Sequence, residues 1–379
     1  MSTTASPAPD APSDPGTAGS PPSPGSHEEH APVGAWGPDI LGAGFQARTL
    51  ELLPDDEDDG IVATLVRYMP ADDPAALPNT PTSPTFAYLH IHGWNDYFFN
   101  ADLARQITRL GGAFYAIDLR RYGRSLRPGQ MHGWVTSLAD YDEDLGLALA
   151  QIRTECGLEI PLVLAGHSTG GLTAALWADQ HPGALAALVL NSPWLEIQGS
   201  EPARTVGEPV VRTLAWRDPR MVIPTPPIPS DQLFDITAGW DPVRDGELPD
   251  PAWASDPYVT GWRVEADWII HPSAPIRPGW LQAVLNAQAR VAAGLDIRCP
   301  VLSMGSARSH LGVVWSPEAR CTDTVIDADA TARRAVQLGA LVTVARFEGA
   351  VHDLTLSAPP VREQVYSAMR RWLGAYVLR

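Results

Sequence analysis

At residues 160–178 a strand has to turn directly into a helix. The apolar run Ile160-Pro161-Leu162-Val163-Leu164-Ala165 reads as a buried strand. Gly166-His167-Ser168-Thr169-Gly170-Gly171 follows without a break, and a helix-forming run begins at Leu172. So sharp a junction strains the backbone of its middle residue and pushes that side chain above the sheet edge. Glycines on either side remove the Cβ atoms that would collide. The first N–H groups of the helix lack intrahelical acceptors and face whatever binds there. A Gly-x-Ser-x-Gly alone recurs by chance. With the strand before it and the helix after it, Ser168 becomes a candidate nucleophile rather than an idle turn serine.

The rest of the chain extends this junction into a fold class. Two alternating runs, 45–52 and 61–68, flank an acidic turn and read as a hairpin. Strands predicted at 86–91, 113–117, 160–165, 186–190, 301–304 and 341–347 alternate with helices near 101–110, 137–155, 172–178, 280–292, 328–338 and 361–373. The strands are near-continuous apolar runs, as a parallel sheet covered on both faces requires. The expected class is α/β, with a mostly parallel, doubly wound sheet. The alternation stops after Asn191. Residues 194–279 are rich in Pro and Trp (Trp216, Trp240, Trp253, Trp262, Trp268), too apolar for a solvated linker and too irregular for a layer of the sheet. They read as a cap inserted over the carboxyl edge. Their indoles either wall an apolar acyl or aromatic pocket or pack the cap onto the sheet. Residues 1–35 are a Pro/Ser/Gly-rich tail that cannot offset its ordering entropy. The division is then a tail (1–35), a core (36–193 and 280–379) and a cap (194–279).

Composition narrows the function classes. Hydrophobic residues make up 45% of the chain, ample for one large core, and the formal net charge is −17, with every basic residue an arginine. That balance argues against nucleic acid or an anionic membrane surface as a partner. The acidic run 55–59 is expected to be a solvated loop. Cys156, Cys299 and Cys321 have no metal-ligand spacing and suit a reducing compartment. The N-terminus lacks the basic start and apolar stretch of a secretory signal, and no run is long and apolar enough to span a bilayer, so a cytoplasmic location is expected. His90-x-His92 lacks a third ligand, and no metal or cofactor is expected. The sequence does not specify an oligomeric state.

A serine hydroxyl needs a general base and an oriented partner, and in an open parallel sheet these lie past the carboxyl ends of strands. His352, just after the strand 341–347, is the candidate base. For the acid, the residues directly after the strand 301–304 contain none. Asp323 is favoured because a helix starts soon after it, with Asp327 as the alternative or as that helix's N-cap. For an oxyanion, the backbone N–H of Thr169 is one candidate donor and that of Trp94, after Gly93, the second.

These residues resemble the α/β-hydrolase superfamily, in the branch of monoacylglycerol lipases and lysophospholipases (the serine aminopeptidase S33 type). His92-Gly93 resembles its oxyanion-loop His-Gly. Asp118-Leu119-Arg120-Arg121-Tyr122-Gly123-Arg124-Ser125 is similar to its Asp-x-Arg-Gly-x-Gly-x-Ser loop, with Arg121 where glycine is usual. Gly166-His167-Ser168-Thr169-Gly170-Gly171 is similar to its Gly-His-Ser-Met-Gly-Gly elbow, and Gly349-Ala350-Val351-His352 to its Gly-x-x-His. The acid usually lies in a Gly-x-x-Asp-x-Val pattern, of which Asp323-Thr324-Val325 matches the second half; residues 307–322 then look like an insertion. The resemblance implies an α/β-hydrolase fold and a Ser168–His352–Asp323 triad acting on small acyl esters through an acyl-enzyme. Aminopeptidase and perhydrolase chemistry use the same triad, and a non-catalytic binding protein on the same fold is the reading from a different class.

Overall fold

A computed structural model describes residues 31–197, 201–224, 236–271, 273–312 and 315–378. The strands are β1 (Gly37–Pro38), β2 (Phe45–Glu51), β3 (Val62–Tyr68), β4 (Phe86–Ile91), β5 (Gly112–Asp118), β6 (Leu162–His167), β7 (Ala187–Asn191), β8 (Val301–Ser306) and β9 (Val342–Phe347). They form one sheet in the order β1-β2-β3-β5-β4-β6-β7-β8-β9. The hairpin 45–68 pairs antiparallel in the register Phe45↔Tyr68, and β3 joins β5 antiparallel. From β5 to β9 every pairing is parallel. The longer helices are α1 (Ala101–Arg109), α2 (Tyr141–Cys156), α3 (Ser168–Gln180), α4 (Glu201–Arg217), α5 (Pro278–Ala293), α6 (Ala328–Ala335) and α7 (Pro359–Tyr376).

β4 shows why its sequence is apolar at every position but His90, whose ring packs edge-on to Phe98. Phe86 and Tyr88 pack into one core layer with Ile107 of α1 and Met369 of α7, while Leu89 and Ile91 pack into the other with Leu149 of α2 and Leu172 of α3. Side chains alternate across a strand, so a strand covered by helices on both faces must be mostly apolar on both. The strand order also reverses at β4, with β5 on one side and β6 on the other. Crevices at such reversals, past the carboxyl ends of the strands, are where open α/β sheets bind ligands. The loop after β4 and the elbow after β6 therefore meet at the one place where the topology opens the sheet.

Several expectations change. Of the expected tail 1–35, residues 1–30 lie outside the described residues, while Gly34 donates to Thr49 O (3.2 Å) and Thr49 donates to Pro32 O (3.0 Å). Residues 32 and 34, placed in the tail by composition, thus already bond to β2. The segment between β7 and α5 is less irregular than its composition suggests, since it contains the seventeen-residue helix α4. Its indoles mostly pack: Trp240 and Trp253 lie against Tyr258, Trp262 and Trp268 pack against a small cluster with Tyr97 and Val351, and Trp216 is 87% exposed.

The acidic run 55–59 is not simply solvated. Asp55 and Asp58 each pair with Arg121 at 2.8 Å, and the Arg121 side chain is fully buried. Arg121 also donates to Trp134 O (2.9 Å). Its φ is +63°, a left-handed conformation that suits glycine and costs other residues about 1–2 kcal/mol. That conformation suits the glycine usual at this position; here the pairs that the buried guanidinium makes with two partly exposed carboxylates stand against the strain. In the same loop Arg124 bridges Asp118 (2.8 Å) and Asp39 (2.6 Å), and Arg120 pairs with the buried Asp144 (2.6 Å).

Candidate active site

Ser168 is the first residue of α3, directly after β6, and has φ +52°. The elbow is as tight as its glycines suggest. A Cβ on Gly166 would lie 2.3 Å from Gly170 O, and one on Gly170 2.2 Å from His92 O. The helix therefore sits hard against the oxyanion loop, and only residues without a side chain fit between them. Ser168 is 7% exposed. Thr169, as the second residue of α3, carries an N–H with no intrahelical acceptor.

His352 follows β9 and is 2% exposed. Its Nδ1 lies 2.8 Å from Asp323 Oδ2. A carboxylate accepts, so Nδ1 carries the proton and Nε2 presents a lone pair when the ring is neutral. Nε2 is buried without a hydrogen-bond partner among the described residues. The His352 ring packs 4.8 Å from that of His167, the residue preceding Ser168, which brings the imidazole to the elbow. The other Asp323 oxygen accepts from the N–H groups of Val325 (2.8 Å) and Ile326 (2.9 Å). Asp327 does something different: its side chain accepts from Ala330 N–H and caps α6. Of the two candidate acids, then, the one bonded to the imidazole is Asp323.

On the opposite side His92 sets the orientation of one peptide. Its Nε2 accepts from Leu119 N–H (3.1 Å), which leaves Nδ1 to donate to Gly93 O at 2.7 Å. In a trans peptide the C=O and the following N–H point opposite ways. Holding Gly93 O toward His92 therefore turns Trp94 N–H the other way, and that N–H has no partner among the described residues. Both ring nitrogens of His92 are thus engaged by backbone, so the His90-x-His92 pair has no free nitrogen on its second member. A Cβ on Gly93 would lie 3.2 Å from Ser168 Cβ, so this peptide abuts the candidate nucleophile.

Sequence reading missed three supporting residues. Asp96 accepts from Gly93 N–H (3.1 Å) and Tyr97 N–H (2.8 Å), closing the loop after β4 on itself. Burial raises its carboxyl to about 6. The available signal was an acid three residues past the His-Gly pair. Asn191, at the end of β7, donates to Asp353 (2.7 Å) and accepts from Leu354 N–H (3.2 Å), fixing the turn after His352. Burial works against ionisation of Asp353, but His167 and the hydrogen bonds from Thr355 and Asn191 outweigh it and hold the carboxyl below its usual range. Trp194, just past β7, donates its N–H to Ser168 O (2.9 Å).

The described residues hold no group of three or more His, Cys, Asp or Glu side chains suited to a metal. None of their helices is long and apolar enough to cross a membrane.

Comparison with known proteins agrees with this architecture. The family described as serine aminopeptidase, S33, matches residues 83–359. Among solved structures the chain is similar to a Paleococcus ferrophilus monoacylglycerol lipase (TM-score 0.53, 19% identity, 78% of this chain and 96% of that one). It is also similar to a Saccharomyces cerevisiae monoglyceride lipase (TM-score 0.56, 17% identity, 86% and 95%) and a Bacillus coagulans carboxyl esterase (TM-score 0.56, 15% identity, 88% and 99%). At these identities the likeness shows the α/β-hydrolase fold. A stretch of 80 residues is 31% identical to 1-acylglycerol-3-phosphate O-acyltransferase ABHD5 of Sus scrofa and spans 21% of this chain and 22% of that relative.

Proposed function

Since the chain belongs to the serine aminopeptidase S33 family of α/β-hydrolase-fold proteins, we propose that it is a serine hydrolase that cleaves small carboxylic esters. One observation carries this: the Nδ1–carboxylate bond of His352 and Asp323 (2.8 Å) leaves Nε2 as a buried base without a partner, beside the elbow that holds Ser168. A fixed tautomer with an available lone pair is what a general base requires.

In this reading His352 Nε2 takes the Ser168 proton as Oγ attacks the acyl carbonyl. The tetrahedral oxyanion accepts from the N–H groups of Trp94 and Thr169. Asp323 stabilises the imidazolium, which then protonates the leaving alcohol. Water enters, loses a proton to the same nitrogen, and releases the acid. The inserted segment 194–279 acts as a cap over the site. The substrates are small acyl esters, with members of the monoacylglycerol and lysophospholipid type first among them, because the structural likeness is to lipases and an esterase.

Reaction with a fluorophosphonate followed by peptide mapping tests the reading. The expected result is one adduct, on Ser168, with Ser168→Ala unlabelled and without esterase activity. An esterase activity that survives Ser168→Ala would overturn it.

A further inference from the structure

The loop that carries Asp323 is tied down from outside. After β8 ends at Ser306, the described residues 307–312 and 315–322 lie outside the strands of the sheet. The base of this excursion closes through Asp323 N–H to Arg308 O (2.9 Å) and His310 N–H to Asp323 O (2.8 Å). Three residues before Asp323 stands Arg320, 4% exposed. Its guanidinium pairs with Asp245 at 2.8 Å, where the carboxylate is fully buried, and donates to Gly239 O. The guanidinium carbon lies 5.2 Å from the Trp240 ring centroid, 5.4 Å from Tyr258 and 5.5 Å from Trp315. The Tyr258 hydroxyl returns a bond to Arg320 O (3.3 Å). Arg244 reinforces the arrangement, pairing with Asp245 (2.8 Å) and lying 4.5 Å from Trp315. All these partners except Trp315 belong to residues 239–258, between β7 and α5. That stretch is itself fastened to α7 by Arg362 and Asp256 (2.6 Å).

We propose that Arg320 is a positioning residue for the triad acid: by locking the loop 307–322 onto residues 239–258 it holds Asp323 within bonding distance of His352. The inference rests on Asp323 being that acid. The chemistry favours arginine, because a planar, permanently charged guanidinium can stack on several rings while pairing with a carboxylate, and an ammonium on a flexible stem cannot. A loop that depends on a remote segment for its register loses its aim when that contact goes. Displacements of about 1 Å at a catalytic group cost up to about 10²-fold in rate.

The test is a double-mutant cycle on the full chain, with kcat expressed per fluorophosphonate-titrated site and p-nitrophenyl butyrate as the probe. Arg320→Met should lower kcat about 10- to 100-fold with KM within about twofold, and Arg320→Lys should recover only part of the loss. In an Asp323→Asn background Arg320→Met should change kcat by less than about twofold, because the group it positions is already disabled. If Arg320→Met leaves kcat per site unchanged, or lowers it equally in both backgrounds, the positioning role is wrong while the triad reading stands. If Asp323→Asn alone keeps full kcat, the assignment of the acid has failed and this proposal fails with it. Should Arg320→Met not fold, Asp245→Asn and Arg320→Lys carry the same comparison.

Discussion

The two flanks of Ser168 are built on different principles. On the candidate oxyanion side most supports come from the loop itself and the adjacent strand: His92 bonds its neighbour Gly93, Asp96 bonds Gly93 and Tyr97, and Leu119 N–H comes from just past β5, while Asn95 exchanges two hydrogen bonds with Ile270 of the inserted segment (2.9 Å each). On the acid side Asp323 anchors its own turn through Val325 and Ile326, but the loop around it leans on residues 239–258 through Arg320. The first flank takes most of its supports from the sheet and its own turn, with one pair of bonds to the inserted segment. The second leans on that segment through a buried ion pair and ring contacts. Local supports cost little loop-closure entropy, while remote ones must offset more of it.

Four measurements would break or sharpen this contrast. The largest effect is expected from Asp323→Asn, which keeps the shape but offers His352 the wrong partner; kcat should fall about 10⁴-fold with little change in KM. His92→Ala comes next, since it frees the Gly93–Trp94 peptide to rotate and should cost about 10²- to 10³-fold in kcat. A larger loss from His92→Ala than from Asp323→Asn would invert the proposed ranking of the flanks. Arg121→Gly should leave kcat within about twofold, but lower the unfolding free energy by about 2 kcal/mol in urea titration. Loss of the buried guanidinium from Asp55 and Asp58 there outweighs the relieved strain. The fourth measurement is a pH dependence of stability, with kcat untouched by it. Burial raises the Asp96 carboxyl to about 6 from 3.8, so the folded protein keeps a proton that the unfolded chain releases between those values. Stability linked to Asp96 therefore falls as pH rises from 3.8 to about 6 and is level above. Stability differences between wild type and Asp96→Asn, measured from about pH 4 to 7, should move in favour of the variant across that window; a flat difference would mean Asp96 titrates normally.

Legibility in the sequence followed the same divide. The elbow, the hairpin register and the alternation of strands and helices are all encoded within runs of about ten residues, where periodicity and glycine placement speak directly. Ser168, His352, Gly93 and Trp94 fall at strand ends and could be placed from those runs. Asp323 could be favoured but not separated from Asp327, because both precede the same helix; only the side-chain geometry assigns one to the imidazole and the other to the cap of α6. Arg320, Asp245 and Trp240 were invisible as a unit, since their contacts span 75 and 81 residues or depend on ring stacking. α4 was also missed, with Pro209 inside it and a composition shared with the irregular stretches around it. The acidic turn was misread for a related reason: nothing near Asp55 announces a buried arginine 66 residues later.

That last pairing has an evolutionary consequence. Exchanging either acid alone weakens the pairing of the enclosed Arg121 guanidinium, and exchanging Arg121 alone gives up both ion pairs. Any lineage passing between glycine and arginine at this position has to cross a less stable intermediate or change the hairpin turn first. The three sites should therefore be inherited together, and a chain carrying arginine here should carry its acids 63 and 66 residues upstream.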